Sequence, residues 1–374
     1  MLITPVQDHI RAIARAFTTR EIAPYAAQWD RECTVPVSVL GKLGALGFMG
    51  LCVDPTWGGA GLDMVSYVLA VEEIAAGDCG LCNLMCVNNS PNCAALQDHG
   101  TPAQQAHFLR PLASGTQHSA FLLTEPHAGS DAAALHTRAV RAGDHYVLNG
   151  TKQFVTGGRS ANVALIVAVT DPAAGKRGLS CFLSPTDVAG YRVVRTERKL
   201  GHHAADTCQI ALENLVVPAG NLLGPLHGGY RIALAYLENG RLGVAAQAVG
   251  VARAALSAAL QYADKKALRR PPSIAFKLAD MATAIEGARQ MTVHAAALKD
   301  AGQPCVREAS MAKLYASTIA EKVCSDALQI FGDDGCLEDF PIEKLYRDAR
   351  VLAIYEGTNE IQRMVIARTL RADL

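Results

Sequence analysis

The chain has 374 residues, half of them hydrophobic and 19% charged, with 35 basic residues balancing 35 acidic ones. At about 150 residues per domain this length calls for two or three domains and a sizeable core. The composition excludes a disordered chain, and no basic excess points to nucleic acid or an anionic membrane surface.

The N-terminal stretch has no signal-peptide apolar region, because Gln7, Asp8, Arg11 and Arg15 interrupt it. The longest unbroken apolar run, Val163 to Val169, is too short to cross a bilayer. The expectation is a soluble, intracellular protein, residing in the cytoplasm of a bacterium and not inserted in a membrane.

From Thr4 to about Ser114 the hydrophobic period is helical. Ile10, Ile13, Ala14 and Phe17 form one stripe, and Tyr67 to Ala75 forms a second helix with mixed faces. Between them PTWGGAGL, residues 55–62, is punctuated by a proline and paired glycines and reads as a loop. Cys79, Cys82, Cys86 and Cys93 suggest a CxxC at first sight. No second ligand pair follows, and the offsets are those of one buried helical face, so reduced core thiols are expected and no metal site is proposed.

From about Gln117 to Gly224 the segments are short and strand-like. Tyr146-Val147-Leu148 runs into Asn149-Gly150, which predicts a tight hairpin turn. Val163–Val169, Leu179–Leu183, Tyr191–Val194 and Gln209–Val217 add strands. From Tyr230 onward long helices return, rich in alanine and glycine, and Gly332 stops one of them. The predicted class is α+β: an N-terminal helical domain (1–116), a central β-barrel or sandwich (117–225) and a C-terminal four-helix bundle (226–374).

Two stretches carry groups suited to chemistry. Residues 120–131, AFLLTEPHAGSD, read as a strand ending in a polar loop, where Thr124, Gly129 and Ser130 offer hydroxyls and uncovered amides. These suit a flat heteroaromatic ring or a phosphate, and equally a plain surface turn. In residues 352–363, LAIYEGTNEIQR, Glu356 sits in an apolar context before a glycine. Burial there would raise its pKa toward that of a general base; a solvated helix-capping glutamate is the competing reading.

Taken together, AFLLTEPHAGSD, YVLNGTKQFVTGG, FKLADM, EASMAKLYAS and IYEGTNEIQR resemble the acyl-CoA dehydrogenase family, over nearly the whole chain. PTWGGAGLD and NLLGPLHGGYRIAL extend the resemblance, and LENGRLGVAAQAVG with YRDARVLAIYEGTNEIQR is most similar to short-chain, butyryl-type members. The resemblance implies FAD as cofactor. It makes Glu356 the base that removes a proton α to a thioester carbonyl while a β-hydrogen leaves as hydride to the flavin. Developing enolate charge would be met by the backbone N–H of Glu356 and by the flavin's ribityl chain. Some branches place the base immediately before the arginine matching Arg241; here that position is Gly240, so Glu356 has no rival.

Further roles follow from the resemblance alone. Leu123, Thr124, Gly129 and Ser130 match the loop against the flavin ring, with Ser130 also flanking the thioester. Phe154 and Thr156 match residues lying on the isoalloxazine. Gln329, Thr358 and Glu360 match positions near the ribityl–adenylate part, and Lys266 stands in the segment that contacts the FAD pyrophosphate and adenine of a neighbouring subunit. Glu238 and Arg241 match the helix start that meets the CoA moiety, and Gly357 adjoins the substrate. The implied partners are an acyl-CoA or acyl-carrier-protein thioester, an electron-transfer flavoprotein, and further copies of the chain in a homotetramer built as a dimer of dimers.

The chain departs from the family at two loops. Lys266 and Arg269 stand where an arginine and an aromatic are usual, and the loop before Phe276 is short. Lysine neutralises a phosphate as a point charge but lacks the bidentate fork. Asp333 stands where a glycine is expected beside the cofactor diphosphate; two such charges repel by roughly a few kcal/mol at an effective dielectric near 20. One expectation is that Arg269 and Arg270 pair with Asp333 and Asp334 across a subunit interface, in the space of the FAD tail; the other is that both loops have simply drifted. His202-His203 replaces a usual arginine at the second position, and surface exposure is expected for the pair. Two alternatives to dehydrogenation remain: a flavin-free thioester lyase or isomerase using the same glutamate, and a non-catalytic paralogue.

Overall fold

The computed structural model describes residues 3–268 and 271–372. The N-terminal part is helical: α1 Pro5–Phe17, α2 Ala26–Glu32, α3 Val37–Ala45, α4 Met64–Gly77, α5 Cys79–Val87, α6 Ala94–His99, α7 Pro102–Gln104 and α8 Arg110–Ala113. Thr4 caps α1 in a reciprocal box with Gln7, and Asp63 and Asp78 cap α4 and α5, each satisfying an orphan helix N–H. α4 is buried nearly all round because the bundle covers the face that the other N-terminal helices leave open. Cys79, Cys82 and Cys86 are buried on α5 and Cys93 just after it, all as free thiols.

The central part holds β1 Ser119–Leu122, β2 Arg138–Ala142, β3 His145–Thr156, β4 Val163–Val169, β5 Leu179–Pro185, β6 Tyr191–Thr196, β7 Thr207–Pro218 and β8 Leu222–Leu223. They form one mixed sheet in the order β6-β7-β3-β2-β4-β5-β8, with β1 parallel to β4. The sheet curls around an inner core of Ala164, Ile166, Phe182, Leu148 and Leu212, while Val163, Leu165 and Val167 face a second core shared with the helices. A strand buried on both faces needs no polar alternation, which is why β4 reads as an unbroken apolar run. The hydrogen-bonded path ends at β6 and β8, so the expected barrel is an open, curled sheet.

Asn149-Gly150 does not make the expected hairpin turn. It lies inside β3, where the register against β7 shifts, and the β2–β3 turn falls at Gly143-Asp144 instead. A Cβ on Gly150 would collide with Thr137, and the Asn149 side chain pairs with Asn214 across the sheet. The dipeptide therefore serves a bulge, a second setting in which glycine and asparagine are favoured.

The C-terminal part consists of α9 Gly229–Lys265, α10 Pro272–Asp300, α11 Val306–Phe331, α12 Pro341–Ala349 and α13 Asn359–Ala372. By length and composition α9 could cross a bilayer, which the run-length reading missed. Its small apolar residues are instead mostly buried, and α9 packs on α4, α10 and α11. A buried ion cluster fastens the bundle to the N-terminal helices: Glu72 pairs with Arg253 and Arg289, and Glu73 with Arg15 and Arg253.

His202 and His203 are not the surface pair expected. His202 is buried, with its backbone N–H on Asp348 Oδ1 (2.5 Å), its ring on the Asp348 carbonyl (3.1 Å), and its ring edge toward Tyr355. Half-buried His203 contacts the Lys199 carbonyl and Asp30. Asp348 itself is held by Lys344, which also meets Asp78. The physical reason is docking: a Cβ on Gly201 would strike Arg347 and Asp348, so the β-domain loop sits flush on α12.

Candidate active site

The site forms where α5, α9, α11 and the start of α13 converge on the turn at residues 354–358. Thr358 accepts the Ile361 N–H and starts α13, while Glu356 and Gly357 both have left-handed backbone, φ +53° and +87°. Such a conformation costs a glutamate roughly 1–2 kcal/mol and persists only where neighbours fix it. Gln362 Nε2 donates to the carbonyls of Glu356 (3.3 Å) and Gly357 (2.9 Å). Lys313 Nζ, fully buried on α11, donates to the Gly357 carbonyl (2.9 Å) and to Asn359 Oδ1 (3.0 Å).

The turn delivers the Glu356 side chain against α9. A Cβ on Gly240 would collide with Glu356 Oε2, so the glycine is what admits the carboxylate. Among the described residues, Oε2 is buried without a hydrogen-bond partner. Burial pushes the Glu356 pKa up to about 7, against the opposing pull of Arg241 and Lys313. A carboxyl group poised there exchanges protons near neutral pH, as a general base must. Among the described residues the Glu356 N–H has no protein acceptor, leaving it available to a ligand.

The walls are set by α5 and α9. Gly243 lets the Tyr67 hydroxyl and the Cys86 thiol approach α9. One helical turn before Cys86, Asn83 donates to Thr156 Oγ1 (3.2 Å); residues three apart share a helix face. The α5 face thus joins the turn carrying the base to the end of β3.

The β-domain side presents an open shelf. A register shift between Lys152 and Val155 gives Phe154 φ +56° and turns its ring outward, 65% exposed. A bulge re-aims a side chain in this way. Leu123 is buried, Thr124 half-buried, and Gly129 and Ser130 exposed beside it, with open space where a Gly129 Cβ would point. Beneath lies a pair that sequence reading missed: Lys152 Nζ holds the Leu123 carbonyl (2.9 Å) and Glu125 Oε1 (2.8 Å). Glu125 in turn accepts the N–H groups of His136 and Thr137. Both residues stand in the quoted motifs, and a charge flanked by strand residues is the signal that could have found them.

The shelf fits the flat ring of FAD: an exposed aromatic face at Phe154 beside an open loop at Gly129 and Ser130. Leu123, Thr124, Gly129, Ser130, Phe154 and Thr156 would hold it. Arg241 reaches Ser310 Oγ (3.3 Å) while its Nε stays buried without a partner, and burial lowers its pKa. Glu238 is engaged by Lys299 Nζ (2.8 Å) and the Cys305 thiol. Glu360 is exposed near Arg363.

Lys266 and Gln329 are not brought to this cleft. From Arg241 to Lys265 α9 spans 24 residues, about 36 Å, and Gln329 lies about 24 Å along α11 from Lys313. At that far end Lys266 pairs with Asp334 (3.5 Å) and lies over the Tyr262 ring, whose hydroxyl also donates to Asp334 (2.8 Å). Asp333 is exposed. Arg269 and Arg270, expected to meet these aspartates, lie outside the described residues.

Helices, a curled sheet and a bundle, with an unpartnered carboxyl on one side and an exposed aromatic shelf on the other domain, suit an enzyme of proton removal beside a flat redox cofactor. The chain belongs to the acyl-CoA dehydrogenase family, whose N-terminal, middle and C-terminal domain models match residues 4–116, 120–215 and 227–371. It is 42% identical to an acyl-CoA dehydrogenase of Bacillus subtilis, covering 99% of both chains. It is 39% identical to the short-chain specific acyl-CoA dehydrogenase of Clostridium acetobutylicum, covering 98% of both. Among solved structures, butyryl-CoA dehydrogenase of Megasphaera elsdenii superposes with a TM-score of 0.97 at 38% identity over 99% of both chains. A chain from work on the electron transferring flavoprotein of Acidaminococcus fermentans does so at 0.97 and 40%, over 99% of both. Glutaryl-CoA dehydrogenase of Mycobacterium smegmatis in complex with FADH2 follows at 0.94 and 30%, covering 99% of this chain and 95% of that one.

Proposed function

We propose that this acyl-CoA dehydrogenase uses FAD to convert a short-chain acyl-CoA to the trans-2-enoyl thioester, with Glu356 as the base. The observation that carries this is the Glu356 carboxylate, buried at Oε2 without a partner among the described residues and with its pKa raised by burial. The thioester enters between Glu238–Arg241 of α9 and the Thr124–Ser130 loop. Its carbonyl oxygen takes the free Glu356 N–H, which strengthens as enolate charge develops. Gly240 lets the carboxylate lie against α9, and the α-proton passes to Glu356 Oε2. Bound FAD supplies the hydride acceptor. Tyr67, Cys86 and Asn83 close the cleft and exclude water.

Short-chain relatives and the butyryl-CoA dehydrogenase structure support the chain length, and the flavoprotein structure supports reoxidation by an electron-transfer flavoprotein. We extend the reading to a homotetramer, for which exposed Phe276 and Met364 on the bundle helices supply apolar contact surface. We also place it in the cytoplasm, consistent with eleven free cysteines. Anaerobic bleaching of the bound flavin by butyryl-CoA tests the proposal: full bleaching with crotonyl-CoA formed is expected, and an unchanged spectrum refutes it.

A further inference from the structure

Two cations act on the charge of Glu356, Arg241 from α9 and Lys313 from α11, and that charge is also felt by the Cys86 thiol of α5 and the Tyr355 hydroxyl of the same turn. The two cations are built differently. Arg241 lines the cleft and belongs to the substrate route. Lys313 is wholly buried and directs its ammonium to the backbone of the turn and to Asn359. Its ammonium has three N–H groups, and two go to the Gly357 carbonyl and Asn359 Oδ1. Asn359 is in turn fixed by Ser317 and Thr318.

A buried cation is an expensive way to hold one carbonyl. A neutral donor would serve, as Gln362 already does for the same oxygen. What the amide lacks is charge. Burial pulls the Lys313 pKa down to about 8, while Glu356 and exposed Glu360 pull it back, so the ammonium and the base carboxylate support each other's ionisation.

We propose that Lys313 is a positioning residue that fixes the left-handed Glu356–Gly357 turn and, by its charge, keeps the base ionised at working pH. This rests on Glu356 being the base. Lys313 acts on the turn: it clamps the Gly357 carbonyl so that the strained backbone holds. It also offers the carboxylate the counter-charge that the apolar cleft withholds.

The test is the pH profile of α-proton exchange into D2O, followed by NMR with butyryl-CoA and the FAD-loaded enzyme under anaerobic conditions. Lys313→Gln, which keeps a donor and loses the charge, is expected to move the acidic limb up by about one pH unit. Lys313→Arg is expected to leave the limb near its wild-type position at a lower plateau. Should Lys313→Gln fail to fold, Asn359→Asp, which leaves the lysine but offsets its charge, is expected to move the limb the same way. A limb unmoved in Lys313→Gln, or in Asn359→Asp where the first cannot be made, overturns the role, because a purely structural lysine would change only the plateau. Glu356→Gln separates the two ideas: exchange surviving there defeats the base assignment itself, whatever Lys313 does.

Discussion

The two ends of the C-terminal bundle handle charge in opposite ways. Near the start of α9, Glu356 Oε2 and Arg241 Nε are buried without partners among the described residues, and the turn between them is held in left-handed backbone. At the far end, Lys266, Asp334 and Tyr262 satisfy one another at the surface. Reactive groups need an environment that leaves them unsatisfied until substrate arrives, whereas binding groups are interchangeable so long as net charge is kept. Two of the departures from the family pattern, at Lys266 and Asp333, fall at this paired end.

The largest expected effect is at the base. Glu356→Gln should lower dehydrogenation by about 10³-fold or more with the circular dichroism spectrum unchanged; near-normal turnover would erase the contrast between the ends. Gly240→Ala comes next. Its Cβ would displace Oε2, and a misplacement of this kind costs on the order of 10²-fold in kcat, measured by flavin bleaching.

The pH dependence sharpens the contrast. With its pKa raised to about 7, Glu356 is protonated below neutrality, so kcat/KM should fall about tenfold per unit well below pH 7. The sign for stability is opposite to that of a salt-bridged acid. A carboxyl whose folded pKa lies above its unfolded value favours the folded state below the unfolded pKa, and that contribution is lost as pH rises toward about 7. Glu356→Gln should therefore melt higher than the parent above pH 7 and show no such gain near pH 4, by calorimetry. The smallest effect belongs to the far end: Lys266→Ala should shift Tm by only a degree or two, as exposed pairs do, and leave the acidic limb where it was.

Much of this was legible in the sequence because its signals are local. Glu356 lies in a stretch whose apolar flanks announce burial, and the helix–sheet–helix order follows from hydrophobic period. Other features were hidden because they depend on distant partners. Asn149-Gly150 has the composition of a turn, and only the approach of Thr137 and Asn214 makes it a bulge. His202 reads as polar surface until Gly201 is seen to dock on α12. Lys313, Lys152 and Glu125 looked like ordinary charges, since nothing within a few residues reveals that each is buried against a loop brought from elsewhere in the chain.

The most direct measurement is deuterium incorporation at the α-carbon of butyryl-CoA by the FAD-loaded enzyme at pH 8, anaerobically, beside Glu356→Gln. The account predicts rapid exchange with the parent and none above background with the variant. Equal exchange in both would contradict it.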